Sequence, residues 1–244
     1  SRLGAIPLPP APNSGFIAIV AGYRHNLAIV GEVGTPPVAN AGEDQTVFAY
    51  IDGIAEVKLD GSGSCDPDGD ALEYFWFIGD EQIATGVDPN VELSIGEHII
   101  ELIVDDGTDS SEPNEVVITV IAPIEADVHI VPRVINRNSR LKRVFAIVRL
   151  PEGVGRHDVA DVPFVMYAPD SDSIEAIWQR VIGWRRRVSV LMSFDKDDVT
   201  GTLEDNGRVE LTVVGKLESG QYIYGSDTVR ILQPRRCRPN WQAG

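Results

Sequence analysis

The sequence predicts an all-β fold with two β-sandwiches in series, preceded by an extended segment that contains β-strands. The chain has 244 residues, a length that suits about two domains of ~100 residues. Its 23 Gly and 16 Pro residues favour frequent turns. Short apolar runs alternate with turn clusters about every ten residues, which is typical of a sandwich and not of alternating strands and helices.

Residues 1–35 are predicted to form the extended segment. Four prolines between Pro7 and Pro12 exclude a helix or a central strand, so residues 1–15 are interpreted as a tail. Two apolar runs follow, Phe16–Ala21 and Asn26–Val30, and the turn residues between them predict a β-hairpin. A lone two-stranded ribbon is marginal in water, so the hairpin requires a surface to pack on.

The next domain is predicted over residues 36–122, because Thr35-Pro36-Pro37 imposes an extended linker. Its predicted strands are Glu56–Asp60, Ala71–Ile78, Val91–Ser94, His98–Val104 and Glu115–Ile121. In the second of these strands, the aromatic run Glu73-Tyr-Phe-Trp-Phe places Trp76 and Tyr74 on the same side, and we expect Trp76 with Tyr74 to anchor the core.

A second sandwich is predicted over residues 123–233, followed by a C-terminal tail over 234–244. Its predicted strands are Asp127–Val131, Val144–Leu150, Phe164–Tyr167, Val188–Phe194, Arg208–Val214 and Asp227–Leu232. Residues 174–182 fit either a helical face or a strand, and the strand is preferred because Gly183 follows and Val188–Phe194 can pair back. Thr200–Asp205 is interpreted as a short helical turn.

Charge is distributed unevenly along the chain. The net charge is −16, yet residues 36–122 alone hold twenty Asp or Glu residues against one basic residue, Lys58. Such an acidic block repels nucleic acid and suits divalent cations or a basic partner. No apolar run approaches the ~20 residues that a membrane span needs. Because the sequence starts at Ser1 and not at Met, we expect a processed protein or an excised fragment.

Cysteine and histidine patterns point to no chemistry. Cys65 and Cys237 are the two cysteines of the chain, and they could bridge the domains, bridge two chains or stay free. The four histidines lack metal-ligand spacing, and no nucleophile or phosphate-binding motif occurs. The sequence therefore predicts a protein that is not an enzyme.

The middle domain carries a recognisable set of motifs. They are Pro36-Pro-Val-Ala-Asn-Ala-Gly, Leu59-Asp-Gly-Ser-Gly-Ser-Cys-Asp-Pro-Asp-Gly-Asp, Tyr74-Phe-Trp and the segment from Gly96 to Gly107. Together they closely resemble a PKD (polycystic kidney disease type) domain, except that Cys65 stands where Ser is usual. The resemblance implies an extracellular immunoglobulin-like module that spaces, presents or binds and is not itself an enzyme.

The flanking segments show looser resemblances. Residues such as Leu150-Pro-Glu-Gly, Val213-Val-Gly-Lys-Leu and Gly225-Ser-Asp-Thr-Val make the last domain similar to an immunoglobulin-like module of bacterial and archaeal surface proteins. Gly15 to Ile29 resembles part of one blade of a propeller repeat of the chromosome-condensation regulator type. The expected fold is thus two immunoglobulin-like sandwiches in series.

A calcium site is predicted at the acidic edge of the middle domain. Asp66-Pro-Asp-Gly-Asp70 places three carboxylates around a glycine that permits a tight turn, and Ca²⁺ prefers such oxygen ligands. The PKD resemblance implies Asp66, Asp68 and Asp106 as ligands, with Asp105 or Asp70 as further ones. We expect the bound Ca²⁺ to hold the linker against the sandwich; the alternative is that these acids only cap turns.

Two functions remain open for an extracellular or cell-surface protein of this kind. In the first, the chain is a structural protomer of a fibre, and residues 16–30 add a strand to the next copy of the same protein. In the second, it is an adhesive or carbohydrate-binding accessory region of a larger secreted protein. The basic run Trp184–Arg187 is either an interaction patch or a solvated strand edge.

Overall fold

The computed structural model describes residues 16–21, 26–30, 34–169, 172–184, 187–201, 203 and 207–232. The predictions for the tails at 1–15 and 234–244, and for Cys237, lie outside the described residues.

The fold is all-β, as predicted, and the predicted N-terminal hairpin is present. The strands, numbered in chain order, are β1 (Phe16–Ala21), β2 (Asn26–Val30), β3 (Gln45–Phe48), β4 (Ile54–Lys58), β5 (Glu73–Ile78), β6 (Glu81–Thr85), β7 (Asn90–Ser94), β8 (Gly96–Asp105), β9 (Asn114–Ile121), β10 (Ile124–Glu125), β11 (Asp127–Val131), β12 (Val134–Asn136), β13 (Arg143–Arg149), β14 (Val165–Tyr167), β15 (Ile174–Glu175), β16 (Trp178–Trp184), β17 (Arg187–Asp195), β18 (Gly207–Lys216) and β19 (Tyr222–Leu232). A 3₁₀ turn spans Arg156–Asp158, and helix α1 spans Lys196–Gly201.

Strands β3 to β9 form a five-stranded sheet of order β3-β9-β8-β5-β6 and a two-stranded sheet of β4 and β7. Burial alternates along β4, β7 and β8, so one side of each strand faces a core. Trp76 is fully buried, as predicted, and its indole Nε1 donates to the carbonyl of Gly86 at 2.9 Å. Tyr74 is half-buried. The sequence interpretation missed β3 and β6.

Strands β10 to β19 form the other sandwich. One sheet has the order β11-β13-β17-β16, and the second has the order β10-β19-β18-β14-β15, with β12 also paired to β19. Their inward side chains make one buried apolar cluster that includes Val144, Met166, Phe194 and Ile231. Gly215 leaves room for the ring of Phe164, since a Cβ built there would lie 2.1 Å from that ring.

The ambiguous segment at 174–182 is extended, as preferred, and β16 pairs back on β17. The segment is nevertheless divided between two sheets, because Ile174–Glu175 pairs with β14 instead. The helical turn predicted at Thr200–Asp205 is displaced, and α1 begins directly after β17. The reason is that Asp195 caps the helix: its Oδ1 accepts the backbone N–H of Asp197 at 2.8 Å. Residues 204–206 lie outside the described ranges.

Contacts divide the chain into two compact units, residues 1–44, 58–91 and 99–117 in one and residues 45–57, 92–98 and 118–244 in the other. Within the second unit, the Tyr50 hydroxyl donates to the Tyr167 hydroxyl at 2.7 Å. The rings of Tyr50 and Tyr222 meet edge to face, with centroids 4.9 Å apart. No helix within the described ranges has the length and hydropathy that crossing a membrane requires.

Candidate functional site

The first acidic loop, Asp66–Asp70, is organised by Asp66. Oδ1 of Asp66 accepts the backbone N–H groups of Asp68 at 2.8 Å and Asp70 at 3.0 Å. Gly69 has φ 87°, a left-handed conformation that favours glycine and closes the turn. Oδ2 of Asp66 is buried and has no hydrogen-bond partner among the described residues. The loop therefore holds one inward carboxylate oxygen that a cation could satisfy.

The linker before the sandwich is attached to this loop. The backbone N–H of Thr35 donates to Oδ2 of Asp68 at 2.6 Å. Three residues later, Val38 and Cys65 exchange two backbone hydrogen bonds of 2.8 and 3.0 Å. Residues 35–38 thus run beside the start of the acidic loop. Cys65 is exposed and has no disulfide partner among the described residues; Cys237 lies outside them, so the three alternatives for the cysteines stay open.

The second acidic loop follows β8. Oδ1 of Asp106 accepts the N–H groups of Thr108 at 2.6 Å and Asp109 at 2.8 Å. Oδ2 of Asp106 lies 3.8 Å from the point where a Cβ on Gly34 would stand, so this carboxylate also faces the linker.

Asp105 makes a separate set of contacts. Its Oδ2 accepts the Ser110 hydroxyl at 2.6 Å, and its Oδ1 accepts the N–H of Gly107 at 2.8 Å. Both bonds favour the ionised carboxylate, and the Ser110 hydroxyl contributes most to lowering the pKa of Asp105 below its usual range.

Asp68 and Asp106, which lie on different loops, approach neighbouring linker residues, Asp68 at Thr35 and Asp106 at Gly34. Within the described part of the chain, no three His, Cys, Asp or Glu side chains approach closely enough to hold a metal ion together. The ligand set of Asp66, Asp68, Asp70, Asp105 and Asp106 therefore stays a prediction.

Sequence reasoning missed a second feature, the outer face of the sheet β11-β13-β17-β16. The register places Val131, Phe145, Ser193 and Trp178 in one row across its four strands, and opposed residues share a face. Trp178 is 45% exposed and Phe145 is 39% exposed, while Ser193 between them is buried. Ile182 on the same face is 42% exposed. One residue in the sequence indicated this face. Phe145 is large and apolar, yet it alternates with the buried Val144, Ala146 and Val148 and so points to the opposite side of β13.

The basic clusters have structural positions. Trp184 at the end of β16 pairs with Arg187 at the start of β17. Arg185 and Arg186 lie outside the described residues, so both interpretations of this run stay predictions. Arg137 donates through its guanidinium to the carbonyls of Thr200 and Leu203. Nζ of the buried Lys196 donates to the carbonyl of Arg137 at 2.8 Å, which ties β12 to helix α1.

The structure thus presents two candidate sites, the acidic loop pair beside the linker and the exposed face of the sheet β11-β13-β17-β16. Residues 34–120 match the family model of the PKD domain, as the sequence motifs predicted. PKD domains are typically non-enzymatic and usually extracellular. A comparison with curated protein sequences finds no significant match.

Similar solved structures include immunoglobulin-like and adhesin proteins. The Ig1–Ig2 region of Dpr2, solved in complex with DIP-Theta, is 12% identical, with a TM-score of 0.35 over 83% of this chain and 100% of that chain. A bacterial ice-binding adhesin is 14% identical, with a TM-score of 0.30 over 82% of this chain and 66% of that one. The SGBP-B protein of Bacteroides ovatus, in complex with a mixed-linkage heptasaccharide, is 11% identical, with a TM-score of 0.28 over 81% of this chain and 48% of that chain.

Proposed function

We propose that this chain is a non-enzymatic extracellular structural protein, and specifically a protomer of a cell-surface fibre joined by strand donation from its N-terminal hairpin. The observation that carries the proposal is the hairpin itself. Strands β1 and β2 pair with each other in a two-stranded sheet that includes no other described strand. Such a ribbon is marginal alone, and its apolar sequence gains stability by adding to a sheet.

The charge distribution supports assembly between copies of the chain. The domain at 36–122 has twenty acidic residues and one basic residue, whereas residues 123–244 carry slightly more basic than acidic residues. An acidic surface on one copy attracts the basic side chains of the next. A head-to-tail contact of this kind generates an open filament unless the rotation closes it into a ring.

Electron microscopy of the purified chain tests the proposal. We expect ordered polymers from the full chain and monomers after deletion of residues 1–34. Polymers that form equally well without these residues would refute strand donation.

We further propose that Ca²⁺ binds at the acidic loops and holds the linker to the sandwich. The buried Oδ2 of Asp66, which has no hydrogen-bond partner, fits this role, as does the approach of Asp68 and Asp106 to Gly34 and Thr35. These side chains supply hard oxygen ligands, and backbone carbonyls or water would complete the six to eight that Ca²⁺ requires. A cation would also reduce the repulsion between the loops.

Calcium-dependent melting tests this site. At a free Ca²⁺ concentration of about one hundred times Kd, binding stabilises the folded state by about 2.7 kcal/mol, so the melting temperature rises. We expect Asp66→Asn with Asp68→Asn to abolish this rise and Asp80→Asn with Glu81→Gln, which removes two charges from another turn, to keep it. An unchanged calcium response in the double variant would exclude these ligands.

The second candidate function is an adhesive or carbohydrate-binding accessory region of a larger secreted protein. It is favoured by the exposed Phe145 and Trp178 on one flat sheet face, since sugar rings stack on exposed aromatic side chains. A pull-down with insoluble polysaccharide distinguishes the two functions. Retention of the wild type and loss of the Trp178→Ala variant would favour glycan binding over the fibre.

A further inference from the structure

The edge of the sheet β11-β13-β17-β16 is formed by a long, weakly protected strand. Strand β16 has seven residues and pairs on one side with β17; no described strand lies on its other side. Among the described sheet edges of the two sandwiches it is the longest. Native edge strands are normally short or carry several charges or proline. Between Trp178 and Gly183, β16 has no proline and one charged residue, Arg180.

The register shows which backbone groups of β16 face away from the sheet. The N–H of Leu150 donates to the carbonyl of Val188, so Val188 directs its backbone groups toward β13. Backbone direction alternates along a strand, and therefore Ser189, Leu191 and Ser193 point toward β16. The bond from the N–H of Ile177 to the carbonyl of Ser193, 2.9 Å, agrees with this direction.

The partners of these three β17 residues are Ile182, Arg180 and Trp178, whose backbone groups consequently face β17. The N–H and C=O groups of Gln179 and Val181 then point away from β17. Residues 162–164 lie beside Gln179, whose Nε2 donates to the Val162 carbonyl at 2.8 Å and whose Oε1 accepts the Phe164 N–H at 2.9 Å. Val181 is therefore the outward residue to which another strand can add.

On its outer face, β16 carries the apolar Trp178 and Ile182, with the exposed Arg180 between them. Trp178 and Ile182 are 45% and 42% exposed, and Phe145 lies in the same row as Trp178 across one intervening strand. A strand added along β16 would bring its own side chains next to these residues. The apolar hairpin strands β1 and β2, of six and five residues, match the length and character of this edge.

We propose that β16 of one copy accepts a strand of the β1–β2 hairpin of a second copy. This acceptor assignment rests on the proposed function, and it adds the surface that the donated strand joins. Main-chain hydrogen bonds at Val181 hold the added strand, and the exposed Trp178 and Ile182 favour an apolar one. The sheet β11-β13-β17-β16 of one copy then gains a fifth strand from the second copy.

Complementation of two full-length variants tests this assignment. Val181→Pro removes an outward N–H and leaves the β16–β17 bonds of Arg180 and Ile182, which an edge strand tolerates. This variant retains the donor hairpin and lacks the acceptor edge; a chain without residues 1–34 has the opposite defect. Glu81→Pro, at the first residue of edge strand β6, is the matched control.

Light scattering after size-exclusion chromatography gives the mass of each species. We expect polymers from the wild type and from Glu81→Pro, and monomers from each defective chain alone. A mixture of the two defective chains should give a complex of one copy of each and nothing larger.

Assembly by Val181→Pro alone would refute the acceptor while leaving strand donation intact, whereas assembly without residues 1–34 would refute donation itself. Retention of the mixture on insoluble polysaccharide without a mixed complex would point to a glycan surface and overturn the assignment.

Hydrogen exchange provides a measurement that does not require a substitution in β16. At assembling concentration, we expect the amides of 177–184 to exchange about tenfold or more slowly in the full chain than in the chain without residues 1–34. Equal exchange rates in the two chains contradict the proposal, even if Val181→Pro fails to fold.

Discussion

Thr35 and Asp68 are joined by a 2.6 Å hydrogen bond from a backbone N–H to a carboxylate oxygen, across 33 residues of sequence. This contact places the linker on the acidic loop. We expect Asp68→Ala to speed amide exchange at Thr35 severalfold and to change the free energy of unfolding by less than about 1 kcal/mol, since the contact is exposed. NMR exchange measurements, with Asp80→Ala as the control, would show no change at Thr35 if the contact does not form in solution.

The Asp105–Ser110 contact predicts a pH dependence. The Ser110 hydroxyl, and next the Gly107 N–H, lower the pKa of Asp105, so its stabilising effect is present above the ordinary Asp pKa of about 3.9 and lost as the pH falls through the lower folded-state pKa. Ser110→Ala should move the pKa of Asp105 back toward its ordinary value. A carbon-13 NMR titration of the carboxyl measures this, with Ser94→Ala as the control. An unmoved titration midpoint would remove Ser110 as the cause.

The two tryptophans at 76 and 178 offer a matched pair for testing the core. Trp76 is fully buried and hydrogen-bonded to Gly86, so Trp76→Phe should lower the free energy of unfolding by about 2–4 kcal/mol through a cavity and an unpaired carbonyl. Trp178→Phe should change it by less than about 0.5 kcal/mol, because Trp178 is 45% exposed. Urea denaturation followed by circular dichroism measures both. Similar losses in the two variants would contradict the buried position of Trp76.

Tyr50 predicts an alkaline transition. Burial, and then its hydrogen bond to Tyr167, raise the pKa of Tyr50. The contribution of Tyr50 to the stability of the fold is therefore present below the ordinary Tyr pKa of about 10 and lost as the pH rises above it. Tyr50→Phe should flatten the fall in stability above that pH and remove one late-ionising tyrosine from the absorbance titration at alkaline pH. Tyr224→Phe is the control. If Tyr50→Phe has as many late-ionising tyrosines as the wild type, the raised pKa does not belong to Tyr50.

Glycine 215 predicts a steric effect. A Cβ at Gly215 would lie 2.1 Å from the Phe164 ring, so Gly215→Ala must displace that ring and should cost about 1–3 kcal/mol of stability. A Cβ at Gly201 meets no atom within 4 Å, so Gly201→Ala should be neutral or stabilising by about 0.4–1 kcal/mol. Thermal unfolding compares the two variants. An unchanged melting temperature for Gly215→Ala would disprove the packing of Phe164 on this glycine.

Sequence reasoning located strands best where apolar residues alternate or β-branched residues cluster. It found the strand containing Trp76 and the pairing of β16 with β17. It missed β6, because Glu81 and Gln82 are exposed and the strand has no buried face to produce alternation. It missed β3, a four-residue strand whose place is fixed by pairing with β9, far away in sequence.

The candidate site was predictable to the extent that it is local. The spacing of Asp66, Asp68 and Asp70 predicted a tight acidic turn, and the hydrogen bonds to Asp66 Oδ1 form that turn. The contact between Thr35 and Asp68 was not predictable, because it depends on how the linker returns to the loop after folding. The face containing Phe145 and Trp178 was missed since it arises from the register of separate strands.

The parallel pairing of β3 with β9 has a mechanical consequence. These are the first and last strands of the PKD domain, and they pair from Gln45 with Ile118 to Phe48 with Ile121. Tension applied to the two ends of this domain pulls the strands in opposite directions along their common axis. The hydrogen bonds between them are then loaded in shear and must break together, not one by one as in a peeled hairpin. A chain under flow or cell-surface traction would therefore resist extension of this domain at this pair of strands.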